Sequence, residues 1–241
     1  MSNLERIQTN NNDLRECLTI AKFLPEADSG LSDTMFARLY EDGVLGNDEV
    51  TSLPNNFCRG WYYLKGVDFP NVKIVGSYFC YNNSNVEMAN MPNCISIDAY
   101  AFYNCSLMTV ANFPKLETLG THGFRGCSSL TEMVLPECTR LNNTSFQAAS
   151  SLEKINLPKA SYLGNGVFLN CSALITVILR ADNVCLLNNA SSFQGTPVES
   201  GTGYIYVPSS LVDSYKGATN WTIYANQIRA IEDYPEICGG V

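Results

Sequence analysis

Three segments of this chain, Gly123–Pro136, Ser145–Pro158 and Val167–Arg180, superpose without a gap at a step of 22 residues. A fixed period of this size belongs to a solenoid, in which each coil buries its apolar side only by stacking on its neighbours. Such a stack builds a long surface and no deep pocket, so the period constrains function as well as fold. Anchoring on proline extends the series to Pro70, Pro92, Pro114, Pro136 and Pro158, with Arg180 in the sixth place.

Every other column then follows. Phe69, Met91, Phe113, Leu135, Leu157 and Leu179 stand one before the anchor. Val67, Ala89, Ala111, Met133, Ile155 and Val177 stand three before it, and Leu64, Val86, Met108, Leu130, Leu152 and Leu174 six before it. Five after come Val75, Ile97, Leu119, Leu141 and Leu163, and ten after come Phe102, Phe124, Phe146 and Phe168, with Phe79 one residue early. These columns are apolar in every coil and point inward. The alternation just before each proline has the period of a short strand. Strands in one column pair as a parallel ladder about 4.8 Å apart, so six coils span about 30 Å.

The chain divides into an N-terminal element at 1–52, the solenoid at 53–207 and a cap with tail at 208–241. Asp13–Leu24 reads as a helix with Asn12 as N-cap and Pro25 as its stop. Leu4, Asn11 and Leu18 share one heptad column, and Ile7, Leu14 and Ala21 share another. That pattern fits either a cap on the open solenoid end or a coiled coil that makes a homo-oligomer. An acidic connector follows, with a short helix at Met35–Tyr40. At the other end the period breaks, and the last full coil bulges around Asn183–Ala190. Tyr204–Val207 reads as a final strand, and Ser209–Lys216 as a capping helix with Ser209 or Ser210 as N-cap. Trp221, Tyr224, Ile228 and Ile231 close the last coil, and Glu236–Val241 reads as a loose tail.

With 15 basic and 23 acidic residues the net charge is -8, and no basic cluster exists to meet phosphate, so no nucleic-acid partner is expected. No apolar run reaches the length of a membrane span, so no membrane insertion is expected. The N-terminal residues lack the apolar core of a signal peptide, which predicts a protein made and kept in the cytoplasm or carried on a virion.

Chemistry has little to work with. The single histidine, His122, lies in a turn between two core columns and reads as structural. Cys105, Cys127 and Cys171 share a column with Ala149, and Cys94 and Cys138 share one with Val72, Leu116 and Ala160. A position that takes Cys or Ala asks for a small buried side chain. There is no Cys-x-x-Cys pair, no phosphate-binding glycine loop and no paired carboxylates, so no metal, cofactor or catalytic site is expected.

The Leu-x-x-Ile-x-Leu pattern resembles a leucine-rich repeat, but proline stands where an Asn ladder is usual. The form with Ala-Phe-x-x-Cys and Leu-Pro is carried by Tyr100–Cys105, Gly123–Cys127 and Val167–Cys171. It resembles the BspA-like, or Treponema pallidum-type, leucine-rich repeats, which implies a right-handed solenoid of about six coils. The segment Leu4–Cys17 with Leu24–Glu26 resembles the N-terminal helix of tail-associated proteins from phages of Gram-positive bacteria. Together these imply a non-enzymatic binding module: a phage or prophage receptor-binding protein that contacts a cell-surface glycan or protein, or else a bacterial adhesion protein outside any virion. The surface for such contact is the solvent side of the ladder. Its columns are Met88, Val110, Glu132, Lys154 and Thr176, and Asn90, Asn112, Val134, Asn156 and Ile178, which vary while the inward columns do not.

Overall fold

A computed structural model describes residues 42–239. The expected N-terminal helix, its heptad columns and the helix at 35–40 lie outside the described residues. Within them the chain is a solenoid with two parallel ladders. The first holds β1 (Val44–Gly46), β3 (Gly66–Asp68), β5 (Met88–Asn90), β7 (Val110–Asn112), β9 (Glu132–Val134), β11 (Lys154–Leu157), β13 (Thr176–Leu179), β15 (Tyr204–Val207) and β16 (Ile228–Ala230). The second holds two-residue strands: β2 (Ser52–Leu53), β4 (Ile74–Val75), β6 (Ser96–Ile97), β8 (Thr118–Leu119), β10 (Arg140–Leu141), β12 (Tyr162–Leu163) and β14 (Leu186–Leu187).

Register follows the repeat. Ala89 faces Val67 and Ala111, and Ile155 faces Met133 and Val177, each a step of 22. The bulge appears as Leu186 pairing with Tyr162, a step of 24, so the extra residues are absorbed between rungs without breaking the second ladder. That ladder is continuous from β2 to β14, but the first falls into two parts, β1 to β7 and β9 to β16.

The inward columns fuse into one apolar core. Its axis is a file of phenylalanines. Phe102, Phe124, Phe146, Phe168 and Phe193 stack at centroid spacings of 5.2 to 6.0 Å. Phe79, which arrives one residue early, keeps its place by turning edge-on to Phe102, at 79°. The nine described cysteines are buried as thiols. They are more than small fillers, because Cys105, Cys127 and Cys171 each donate Sγ–H to a carbonyl of the preceding coil at 3.0 to 3.3 Å. Burial pushes the thiols of Cys94, Cys138, Cys171 and Cys185 up to about 12.

Three short helices close the C-terminal end: α1 (Pro197–Ser200), α2 (Val212–Gly217) and α3 (Pro235–Cys238). The cap meets the last coil with side-chain hydrogen bonds. Trp221 Nε1 donates to the Cys185 carbonyl at 2.7 Å, the Cys185 N–H donates to the Tyr215 hydroxyl at 2.9 Å, and Asn220 Nδ2 donates to the Leu187 carbonyl at 2.8 Å. An open solenoid end would otherwise leave these backbone groups without protein partners. Neither Ser209 nor Ser210 caps α2, because a 3-10 turn at Ser209–Leu211 intervenes; the Ser209 N–H is met instead by Glu232 Oε2 at 2.9 Å.

The expected loose tail is a strap. Ile178, Tyr206, Ile231 and Cys238 form a second buried cluster, with Tyr204, Tyr234 and Ile237 against it. Arg180 fastens the strap by donating to the carbonyls of Cys238 and Gly239. Trp221, Tyr224 and Ile228 close the coil as expected, while Ile231 joins this outer cluster.

Candidate functional site

The strap decides which of the outward columns remain open. Two of the ten positions expected to face solvent do not: Ile178 is fully buried and Thr176 is 8% exposed. Ile178 lies on the outer face of β13, where the chain returning from 60 residues downstream covers it, and Thr176 lies between Lys154 and Tyr204 of the neighbouring strands. Lys154 and Asn156 on β11 are half-buried, as are Met88 and Asn90 on β5. The open stretch is therefore the middle, where Val110, Asn112, Glu132 and Val134 are all exposed.

The outward side chains interact from coil to coil. Asn112 Nδ2 donates to Asn90 Oδ1 at 2.7 Å, and Asn90 Nδ2 donates to Asp68 Oδ1 at 2.8 Å, an amide ladder that Val134 terminates. Beyond it Asn156 Oδ1 is buried without a partner between Val134 and Ile178. Lys154 Nζ lies 3.3 Å from Glu132 Oε1. Met88 lies across Gly66, where a Cβ would come within 2.6 Å of its Cγ, so the glycine lets the methionine chain lie flat on the sheet.

The break in the first ladder falls inside this open stretch. By the repeat, the Phe113 N–H should donate to the Val134 carbonyl, as Met91 does to Asn112 and Leu135 to Asn156 at 3.0 Å. Likewise the Thr131 N–H should donate to the Thr109 carbonyl, as Thr109 does to Glu87 and Glu153 to Thr131 at 2.8 to 2.9 Å. Among the described residues neither bond forms. Nearly all Cα–Cα separations between β7 and β9 exceed 8 Å, against about 4.8 Å for paired strands. The opposite ladder stays closed, with Thr118 and Leu119 paired to Arg140 and Leu141, so the opening is a wedge. Its groove measures about 600 Å³ and is lined chiefly by Met88, Val110, Phe113, Val134 and Pro136, with Asn112 and Glu132 at the rim. The break coincides with a change in the inward pair, from Ala111 and Phe113 to Met133 and Leu135.

A second surface was not anticipated from the repeat. Tyr78, Tyr100 and His122 occupy one turn column and Arg59, Tyr81, Tyr103 and Arg125 the neighbouring one. Tyr78 stacks on Tyr100 at 4.8 Å and Tyr81 on Tyr103 at 4.9 Å, while Arg59 lies over the first pair's end and Arg125 over Tyr103. The signal was available, since Tyr-x-x-Tyr recurs at a step of 22, but the ring faces are spent on each other. His122 sits at the end of this stack, 4.5 Å from the Tyr100 ring, with Thr144 Oγ1 at 2.7 Å from Nδ1. Partial burial, and then the Arg125 charge, hold its pKa below the ordinary value. In a Ser-His-Asp triad a carboxylate stabilises the imidazolium, whereas the charged neighbour of His122 is Arg125. Among the described residues no cluster of His, Cys, Asp and Glu could hold a metal, and no helix is long and apolar enough to cross a membrane.

No curated protein matches the chain. Among solved structures, a leucine-rich repeat protein from Bacteroides ovatus ATCC 8483 aligns with a TM-score of 0.53 at 20% identity, covering 69% of this chain and 52% of that one. The T. pallidum leucine-rich repeat protein gives a TM-score of 0.54 at 18% identity, covering 73% and 84%. The pneumococcal vaccine antigen PcpA gives 0.52 at 14%, covering 79% and 56%. The chain thus spans about half the length of the first and third of these proteins, and the likeness to all three is one of fold. The BspA type leucine-rich repeat region matches residues 72–197 in six copies, just over half of the chain. By that match and by the two ladders its columns build, the chain belongs to the BspA-type leucine-rich repeat family.

Proposed function

We propose that this chain is a non-enzymatic binding module that holds a cell-surface protein or glycan on the outward face of its first ladder. The observation that carries this reading is the contrast between columns. Inward positions stay apolar in every coil, whereas the open outward ones run from Met88 and Asn90 through Val110 and Asn112 to Glu132, Val134, Lys154 and Asn156. Val110 and Val134 stand 53% and 44% exposed at the centre of that face. Apolar side chains left in water beside a groove and rimmed by amides and charges mark contact surfaces.

The test is saturable binding of the labelled full chain to candidate bacterial cells. Replacing Val110 and Lys154 by glutamate should weaken binding at least tenfold, while Ile74→Glu on the second ladder should leave it unchanged. No saturable binding, or equal loss from all variants, overturns the reading.

The setting of the module follows from its first 25 residues. Their resemblance to tail-associated proteins favours a virion, with that segment as a homo-oligomeric attachment element. Copurification with phage particles supports this, and finding the protein on phage-free cells supports the adhesion protein instead.

A further inference from the structure

The wedge between β7 and β9 has a property that no other rung of the first ladder shares. In a parallel ladder alternate residues turn both backbone groups to the same neighbour. On β9, Leu135 and Thr131 are bonded to the following coil, which leaves the N–H and C=O of Glu132 and Val134 directed at the gap. On the other side Val110 and Asn112 are bonded to the preceding coil, which leaves Ala111, the Phe113 N–H and the Thr109 carbonyl directed at the gap. The gap is thus flanked on both sides by strand edges in register with each other. Most separations across it exceed 8 Å, well beyond the spacing of about 4.8 Å for paired strands and toward the two spacings that one inserted strand needs. Its lining is mostly apolar, with Asn90, Asn112 and Glu132 as the polar members.

We infer that this gap is a docking site for an extended peptide segment of a partner protein, which enters as an additional strand between β7 and β9. This deepens the proposed binding function and rests on that reading of the outward face. Edge backbone groups recognise another backbone, not a sugar ring or a helix whose own groups are already paired. Alternate side chains of the guest would point inward, over Ala111, and outward, between Val110 and Val134. The inward place admits only a small apolar residue, because Phe113 and Met133 already fill the core beneath. The outward places favour β-branched side chains against the two valines.

Displayed random heptapeptides selected against the full chain provide the probe, and the enriched peptide is then synthesised. Its binding is measured by fluorescence anisotropy on the wild type, Val134→Pro and Val134→Thr. Val134→Pro removes an N–H that has no partner among the described residues, so the melting temperature should hold while affinity falls at least tenfold. Val134→Thr keeps the N–H and should change affinity less than threefold. A peptide N-methylated at alternate residues should not bind. In hydrogen exchange, the amides of Ala111, Phe113, Glu132 and Val134 should exchange freely in the free chain and become protected in the complex. Four results overturn the proposal: no enriched peptide, equal binding by Val134→Pro, equal binding of the N-methylated peptide, or protection of those amides in the free chain. The last holds whether the gap is closed or filled by the chain's own N-terminal residues. Cell binding that survives Val134→Pro but not the Val110 and Lys154 changes would leave the outward-face function standing and sink the inserted strand.

Discussion

Two turn positions in each of six successive coils adopt the left-handed conformation, which suits glycine and asparagine and strains most other residues. One column runs Asn56, Tyr78, Tyr100, His122, Thr144 and Gly166, and the other includes Asn82, Asn104, Gly126, Ala148 and Asn170. Tyr78, Tyr100 and His122 offset that cost by stacking along the axis. Ala148, at a φ of 59°, has no such return. Ala148→Gly should therefore raise stability by about 1 kcal/mol, seen as a melting temperature higher by a few degrees. His122 gives a pH signature. Its folded pKa lies below the ordinary value, so the unfolded chain binds the extra proton first and stability declines as pH falls through that window. Between pH 7.5 and 5.5 the melting temperature of His122→Asn should fall less than that of the wild type; equal falls would refute the coupling. The columns that point inward were legible residue by residue, because apolar side chains at a fixed step need no knowledge of neighbours. The left-handed turns were not, since Tyr and Thr are residues that this conformation ordinarily disfavours.

At the scale of elements, the strap of α3 shows what alternation alone omits. The outward direction of Ile178 was readable from β13, but its burial depends on a segment that follows three further strands and a cap. Arg180 stands in the sixth proline place, and this one departure from the anchor column supplies the guanidinium that ties the strap down. Arg180→Ala should cost about 1.5 kcal/mol through the lost charge-assisted hydrogen bonds. It should also make the chain cleavable by protease near Tyr234 while the solenoid stays resistant; unchanged proteolysis would argue that Ile237 and Tyr234 hold the strap unaided. The break between β7 and β9 was likewise invisible, since both coils carry the same inward pattern. Its nearest trace is the change of size from Ala111 to Met133.

For the whole molecule, one core runs from Leu45 to Ile228 and takes in nearly every described thiol. At pH 8 a thiol reagent should spare the nine described cysteines of the native chain, so that no more than one of the ten reacts, and should label all ten after unfolding. Fast labelling of a second site in native protein would contradict the burial. The open rung gives that continuous body a particular mechanical character. At the junctions on either side both ladders share any load, but between the coils of Phe113 and Leu135 the first ladder carries none, and the load falls on the opposite side, on the rung of β8 with β10 and the turn bonds from His122, Phe124 and Gly126 to Asn143, Ser145 and Gln147. Tension applied between the ends would therefore bend the molecule at its middle, opening the side where a guest strand enters. A bound strand would bridge the two halves there, so that occupancy stiffens the whole rod and release lets it flex.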